Sequence, residues 1–269
     1  MKTIREIFKE HIEWHEQIFK LAKADIIKTY SGAALGWAWA IVKPTITIFV
    51  FWFAFSVGLR QGSPVEDVPY TIWLIAGLIP WFYMSDMIKG GASAILKYRY
   101  LVTKMKFPVA TIPTFVGLSK FFIHLCLMVI VIIIFGIAGF WPDIYMLQLP
   151  FYMLVMLLFF IEWSLFSSML SAMSKDFLNL VKAFVTPIFW LSAIMWNIKS
   201  EWIPEWVRHV MMFNPVTYVA SGYRNVFVYK NWFFEEPKDL LCCGAMIVVM
   251  GVLAIWSYRK LIKEIPDVL

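Results

Sequence analysis

Six stretches of about 20 mostly apolar residues, near 33–59, 70–92, 111–138, 149–173, 180–198 and 239–258, constrain this chain more than anything else in it. Each matches the length a helix needs to cross roughly 30 Å of bilayer hydrocarbon. In lipid an α-helix satisfies its own backbone, whereas an open strand does not. The 269 residues are 61% hydrophobic and only 16% charged, where soluble domains carry about 25% charged residues. So few charges cannot cover that much apolar surface in water. A soluble enzyme, a disordered scaffold and a disulfide-stapled secreted domain are therefore excluded, and the fold class is an all-α membrane protein.

Lysine and arginine orient the spans. Lys2, Arg5, Lys9, Lys20, Lys23 and Lys28 precede the first span, and Lys97, Arg99, Lys104 and Lys106 join the second to the third. Lys175 and Lys182 join the fourth to the fifth, and Arg259, Lys260 and Lys263 follow the last. On the opposite side, Arg60 is the one base between the first two spans, and the third-to-fourth connection has none. The long 199–238 stretch balances Lys199, Arg208, Arg224, Lys230 and Lys238 with Glu201, Glu205, Glu235 and Glu236. Both termini are expected in the cytoplasm, with the multi-pass chain in the plasma (inner) membrane. The net charge of +6 then reads as a cytoplasmic rim, and no nucleic-acid partner is expected.

Two segments depart from the spanning pattern. Residues 1–30 carry Ile4, Ile7, Phe8, Trp14, Ile18, Leu21 and Ala22 at helical spacing, with Glu6, Glu10, Glu13, Gln17 and Lys20 opposite. Thr3 and Glu6 have capping-box spacing. This is an interfacial amphipathic helix with Trp14 at headgroup depth, or a helix docked on a partner. It lacks the continuous apolar core of a cleavable signal peptide. Residues 196–238 are rich in tryptophan and broken by Pro204 and Pro215, which predicts short helices dipping into the outer leaflet around an Asn214–Pro215 turn.

Catalytic and metal motifs are missing. No G-x-x-x-x-G-K-[ST] loop is present, and His11, His15, His124 and His209 form no H-E-x-x-H pair. Cys126, Cys242 and Cys243 have no C-x-x-C spacing, so neither zinc nor a disulfide framework is expected. Intramembrane charges remain as suspects. Glu162 and His124 lie at comparable depth in antiparallel spans, with Lys120 one turn from His124, and they are expected to pair as a polar clasp rather than a proton relay. On the first span, Ile41, Thr45, Phe49, Trp52 and Ser56 form a stripe that suits either packing against another helix or a translocation wall on which sugar rings slide.

Several ordered segments then resemble a known family. Leu35-Gly36-Trp37-Ala38-Trp39 precedes Lys43-Pro44; Gly77-Leu78-Ile79-Pro80-Trp81-Phe82 lies in the second span; and Leu101-Val102-Thr103-Lys104-Met105-Lys106-Phe107-Pro108 lies in the cytoplasmic loop. Lys175-Asp176-Phe177, Asn214-Pro215 and Arg224 follow. Across nearly its whole length the chain resembles the ABC-2-type permeases that export polysaccharides, of the teichoic-acid, O-antigen and capsular kinds. The resemblance implies a six-span domain over 31–269, with re-entrant extracellular helices at about 199–236. It also implies a homodimer and two copies of a separate ATPase subunit that holds the ATP and Mg, with no cofactor on this chain. The segment at about 94–108 becomes a coupling helix set against that ATPase, with Lys97, Arg99, Lys104 and Lys106 beside Tyr98, Tyr100, Phe107 and Pro108 in a basic-aromatic knob. The substrate implied is a lipid-linked polymer, with wall teichoic acid preferred and O-antigen or capsular polysaccharide as alternatives. A membrane-embedded glycosyl- or acyltransferase is the competing class; it would need convergent acids or histidines near one face, for which only Glu162 and His124 are candidates. A secondary transporter or channel would show inverted repeats or several intramembrane charges.

Overall fold

A computed structural model describes residues 2–58, 62, 65, 68–105 and 107–269. Arg60 and Lys106 lie outside the described residues, as does the Thr3 side chain that the capping box requires. Among the described residues every regular element is helical. Five helical segments are long and apolar enough to cross a membrane: Gly36–Gly58, Tyr70–Ala92, Thr111–Ile137, Ile144–Met173 and Pro237–Leu261.

The axis of the bundle is α4 (Tyr70–Ala92), buried on almost every face, with Trp73, Leu74, Leu78, Met84 and Met87 fully enclosed. Around it stand α7 (Thr111–Ile137), α8 (Leu149–Met173), α9 (Lys175–Leu191) and the short α11 (Pro215–Arg224). The last long helix, α12 (Pro237–Leu261), packs along α8. The first spanning segment is set apart: of α3 (Trp39–Trp52) only Pro44 is buried. Ile48 and Phe51, with Phe55 just beyond the helix, attach it to the core, and the Phe51 ring lies 5.4 Å from that of Phe189.

The N-terminal amphipathic helix forms as two pieces, α1 (Lys2–Glu13) and α2 (His15–Tyr30). Hydrogen bonds from Trp14 to Glu10 and from Ile18 to Trp14 carry the ladder through the joint. α2 lies along α7 and buries Ile18, Ala22 and Ile26, whereas Phe8, Ile12 and Phe19 stay exposed. Between α4 and α7 the chain makes two short helices, α5 (Ala94–Lys97) and α6 (Arg99–Met105). A cluster containing Ile95, Val109, Met169, Tyr258 and Ile265 gathers this segment with the end of α8 and both chain termini. That end of the molecule is called the terminal end below.

The fifth apolar stretch, 180–198, falls on α9, whose 17 residues rise about 26 Å, at the lower limit of a span, and α9 is not among the five longer segments. The helix stops at Leu191 and the chain folds inward, with Ser192, Ala193, Ile194 and Met195 buried and Ala193 at φ 52°. Breaks come at the two prolines: α10 (Glu205–Met212) starts after Pro204, and α11 starts at Pro215. Asn214 caps α11 by accepting from the backbone N–H groups of Val216 and Thr217, and it donates to the Ser192 hydroxyl at 2.9 Å.

Candidate functional site

Three lysines from three helices converge on one cleft in the half of the bundle nearer the terminal end. Lys43 comes from the second turn of α3, Lys89 from the last turn of α4 and Lys120 from the third turn of α7. With Asp86, Trp39, Tyr83 and His124 they line a cavity of about 680 Å³, and Thr29 and Tyr30 at the end of α2 form part of its edge. The ion pairs among the described residues involve other lysines, so these three ammonium groups face the cleft without a carboxylate in contact. Lys43 instead stands 5.8 Å from the Trp39 ring. The Tyr83 hydroxyl and His124 Nδ1 are buried without hydrogen-bond partners among the described residues. Like charges gathered against low-dielectric walls make a field that attracts anions. Unpartnered polar atoms beside a roomy cavity mark it as a place for a polar guest.

One turn back along α2 lies a joint that the sequence reading did not single out. Asp25 is 1% exposed and accepts from three groups on two other segments. Lys97 Nζ reaches Oδ1 at 2.5 Å, the Tyr98 hydroxyl donates to the same oxygen, and Ser119 Oγ donates to Oδ2 at 2.5 Å. Burial alone would raise the carboxyl's pKa; the donors from Lys97, Ser119 and Tyr98 outweigh it and hold the value below its ordinary 3.8. Burial and the adjoining Asp25 push the Tyr98 phenol up. The N-terminal helix, the α5–α6 segment and the base of α7 are thus pinned at one carboxylate. The lone acid within the Ile18, Ala22, Asp25, Ile26 face was its visible signal.

The residues expected in a basic-aromatic knob divide. Arg99, Tyr100 and Lys104 are exposed, and Pro108 is half-buried. Lys97 is tied to Asp25. Phe107 is buried, with its ring edge-on to Trp14 at 5.1 Å, and Tyr98 is buried 4.8 Å from Phe115. Two of the expected outward aromatics therefore face inward, and Trp14 is half-buried against Phe107. The reason is that α2 offers these rings an apolar partner, and burying one is worth about 1.5–3 kcal/mol.

The stripe runs along α3 to Ser56 just beyond it, and none of its members is fully buried. Phe49 is 58% exposed, Trp52 and Ser56 are half-buried, and the exposed Thr45 donates its hydroxyl to the Ile41 carbonyl at 2.9 Å. The Phe49 and Trp52 rings lie 5.8 Å apart.

The Glu162–His124 clasp does not form. His124 Nε2 shares a hydrogen bond of 2.7 Å with the Tyr223 hydroxyl of α11. Glu162 points toward α12, where a Cβ on Gly251 would stand 3.0 Å from Oε1. Its Oε2 has no hydrogen-bond partner among the described residues. Equal depth placed the two side chains at one level, but the rotation of each helix about its own axis turned them to different neighbours.

Arg224 closes the opposite half of the core. Its guanidinium is 3.5 Å from the Trp73 ring centroid, and it donates to the carbonyls of Ala193, at 2.8 Å, and Ile194. A Cβ on Gly77 would fall 2.5 Å from Nη2, so this glycine is the space the arginine occupies. One buried side chain thereby satisfies carbonyls left open where the chain turns after α9.

Comparison with known proteins agrees with this architecture. The sequence profile of the ABC-2 type transporter family matches residues 16–228. An O-antigen export system permease protein (RfbA) of Myxococcus xanthus is 25% identical over 265 residues, covering 97% of each chain. A Klebsiella pneumoniae protein of the same description is 21% identical, covering 86% of this chain and 88% of its own. A polysialic acid transport protein (KpsM) of Escherichia coli is 24% identical over 70% of this chain and 71% of its own.

Proposed function

The chain belongs to the ABC-2 type transporter family, and from that premise we propose that it is the membrane-spanning subunit of an ATP-driven exporter of a lipid-linked polysaccharide. Its substrate in this reading is of the O-antigen or capsular kind, because those are the activities named for its relatives. The earlier preference for teichoic acid gains nothing from these relatives. The chain sits in the plasma membrane with both termini in the cytoplasm, and it works as a homodimer with two copies of a separate ATPase. That subunit holds the nucleotide and the metal, and this chain performs no catalysis of its own.

The observation that carries the reading is the cationic cleft opening near the joint at Asp25. Lys43, Lys89 and Lys120 offer ammonium donors to the anionic groups of a lipid-linked glycan, and Trp39, Tyr30 and Phe82 offer faces to its sugar rings. The exposed Arg99, Tyr100 and Lys104 are the surface presented to the ATPase. Lys97 passes its movement through Asp25 to α2 and through Ser119 to α7. Thr45, Phe49 and Trp52 on α3, with Ser56 just beyond it, form one wall of the path, which a second copy completes.

Deleting the gene in its native host and staining the surface for polymer tests the proposal. Surface polymer is expected to vanish while lipid-linked polymer accumulates inside, and the intact chain is expected to restore export. Undiminished surface polymer in the deletion strain would overturn the reading.

A further inference from the structure

At the end of the bundle opposite the termini, α10, α11 and the start of α12 enclose a second cavity, of about 570 Å³. It shares no lining residue with the cationic cleft. The ring of Tyr152, from α8, forms its floor by lying against Gly222, where any Cβ would collide with the ring. Three buried polar atoms on the lining have no hydrogen-bond partner among the described residues: Asn225 Oδ1, the Tyr218 hydroxyl and Arg208 Nε. Asn225 is only 6% exposed, so its orphaned oxygen is not answered by bulk water.

The charge of the lining narrows the ligand. Lys199 is paired with Glu236 at 2.6 Å, and Lys238 and Asp239 stand beside them. Lys199, Arg208 and Lys238 stand against Glu236 and Asp239, so positive and negative charge nearly balance across the lining and neither a phosphate nor an acidic sugar is strongly selected. A neutral sugar ring makes a different demand, because each hydroxyl donates one hydrogen bond and accepts others. An amide, a phenol, a guanidinium and carboxylates on one lining meet both needs. Tyr152 and Phe233 add aromatic surface for the ring's C–H face, and the volume is that of an ordinary small-ligand site.

We propose that this cavity binds a neutral glycan unit, with Asn225, Tyr218 and Arg208 making the hydrogen bonds to its hydroxyls. The ligand class rests on the polysaccharide-export reading, but binding is measurable without transport. The full chain in phosphatidylcholine nanodiscs is titrated with mannotriose, galactotriose and maltotriose, with inorganic phosphate as the anionic control, and followed by saturation-transfer difference NMR.

At least one trisaccharide is expected to bind saturably. Tyr218→Phe, which removes a single hydroxyl and leaves packing intact, is expected to weaken it by about tenfold, and Arg208→Gln by a similar factor. Lys23→Gln, on the exposed face of α2 and in neither cavity, is expected to leave it unchanged. Lack of saturable binding by all three sugars, equal binding by both pocket variants, or displacement of sugar by phosphate would each overturn the assignment. Surface polymer is scored separately: sugar binding without any export role removes the export reading and leaves the site, and export without sugar binding does the reverse.

Discussion

Asp25 shows most directly how one residue organises this molecule. A fully buried carboxylate is tolerable only when its lone pairs are filled, and here a lysine, a phenol and a serine fill them. Asp25→Asn keeps the shape but loses the charge that draws Lys97, and it is expected to cost about 2 kcal/mol. That corresponds to a fall of about 4–8 °C in Tm, read by calorimetry in detergent. The pH dependence follows from the depressed carboxyl: its stabilisation is complete above the ordinary 3.8 and is lost as pH falls below that through the folded value. The Tm of Asp25→Asn and of the parent should therefore differ at neutral pH and converge only in acid, below about pH 4. The acid itself was legible as a break in an apolar face. Its partners were not, because Lys97, Tyr98 and Ser119 are 72, 73 and 94 residues away.

At the scale of elements, the α5–α6 segment separates two kinds of basic-aromatic residue. Arg99 and Lys104 are exposed and touch little of their own chain, so the double change to Glu should alter Tm by no more than about 1 °C. The same change is expected to abolish copurification with the ATPase subunit, measured by pull-down. Phe107→Ala should behave oppositely. It empties a buried site against Trp14 and costs about 3 kcal/mol even when the ATPase is absent. On α3, Trp52→Ala is expected to reduce surface polymer severalfold with normal expression and Tm, because the ring is only half-buried in this chain. Unchanged export would assign the stripe to lipid. The breaks before α10 and α11 were legible because proline acts locally, through a missing N–H and a fixed φ. The inward faces of Tyr98 and Phe107 were not, since a ring in a cytoplasmic loop shows no sign of which helix will cover it.

The whole molecule is asymmetric in a way that bears on assembly. α4 is enclosed on nearly all sides, while α3 carries a single buried residue and exposes Ile41, Ile46, Phe49 and Val50 along its length, with Phe53 exposed just beyond it. Native mass spectrometry of the detergent-purified chain is expected to find two copies, and a Phe53→Cys variant to form a covalent dimer with a short bismaleimide. A strictly monomeric chain would leave α3 to lipid and remove the shared-path reading. By itself the sequence determined the membrane class, the placement of the long helices, the amphipathic N-terminus and the breaks at Pro204 and Pro215, because each depends on length, composition or local backbone chemistry. Only the tertiary structure decided that His124 meets Tyr223, that Glu162 faces Gly251, that Arg224 fills the space left by Gly77, and that α4 rather than α3 is the axis. In water an apolar face announces the core; in lipid both faces of a helix are apolar. The rotation of each helix about its axis, and every polar contact that follows from it, is then set by packing among distant segments.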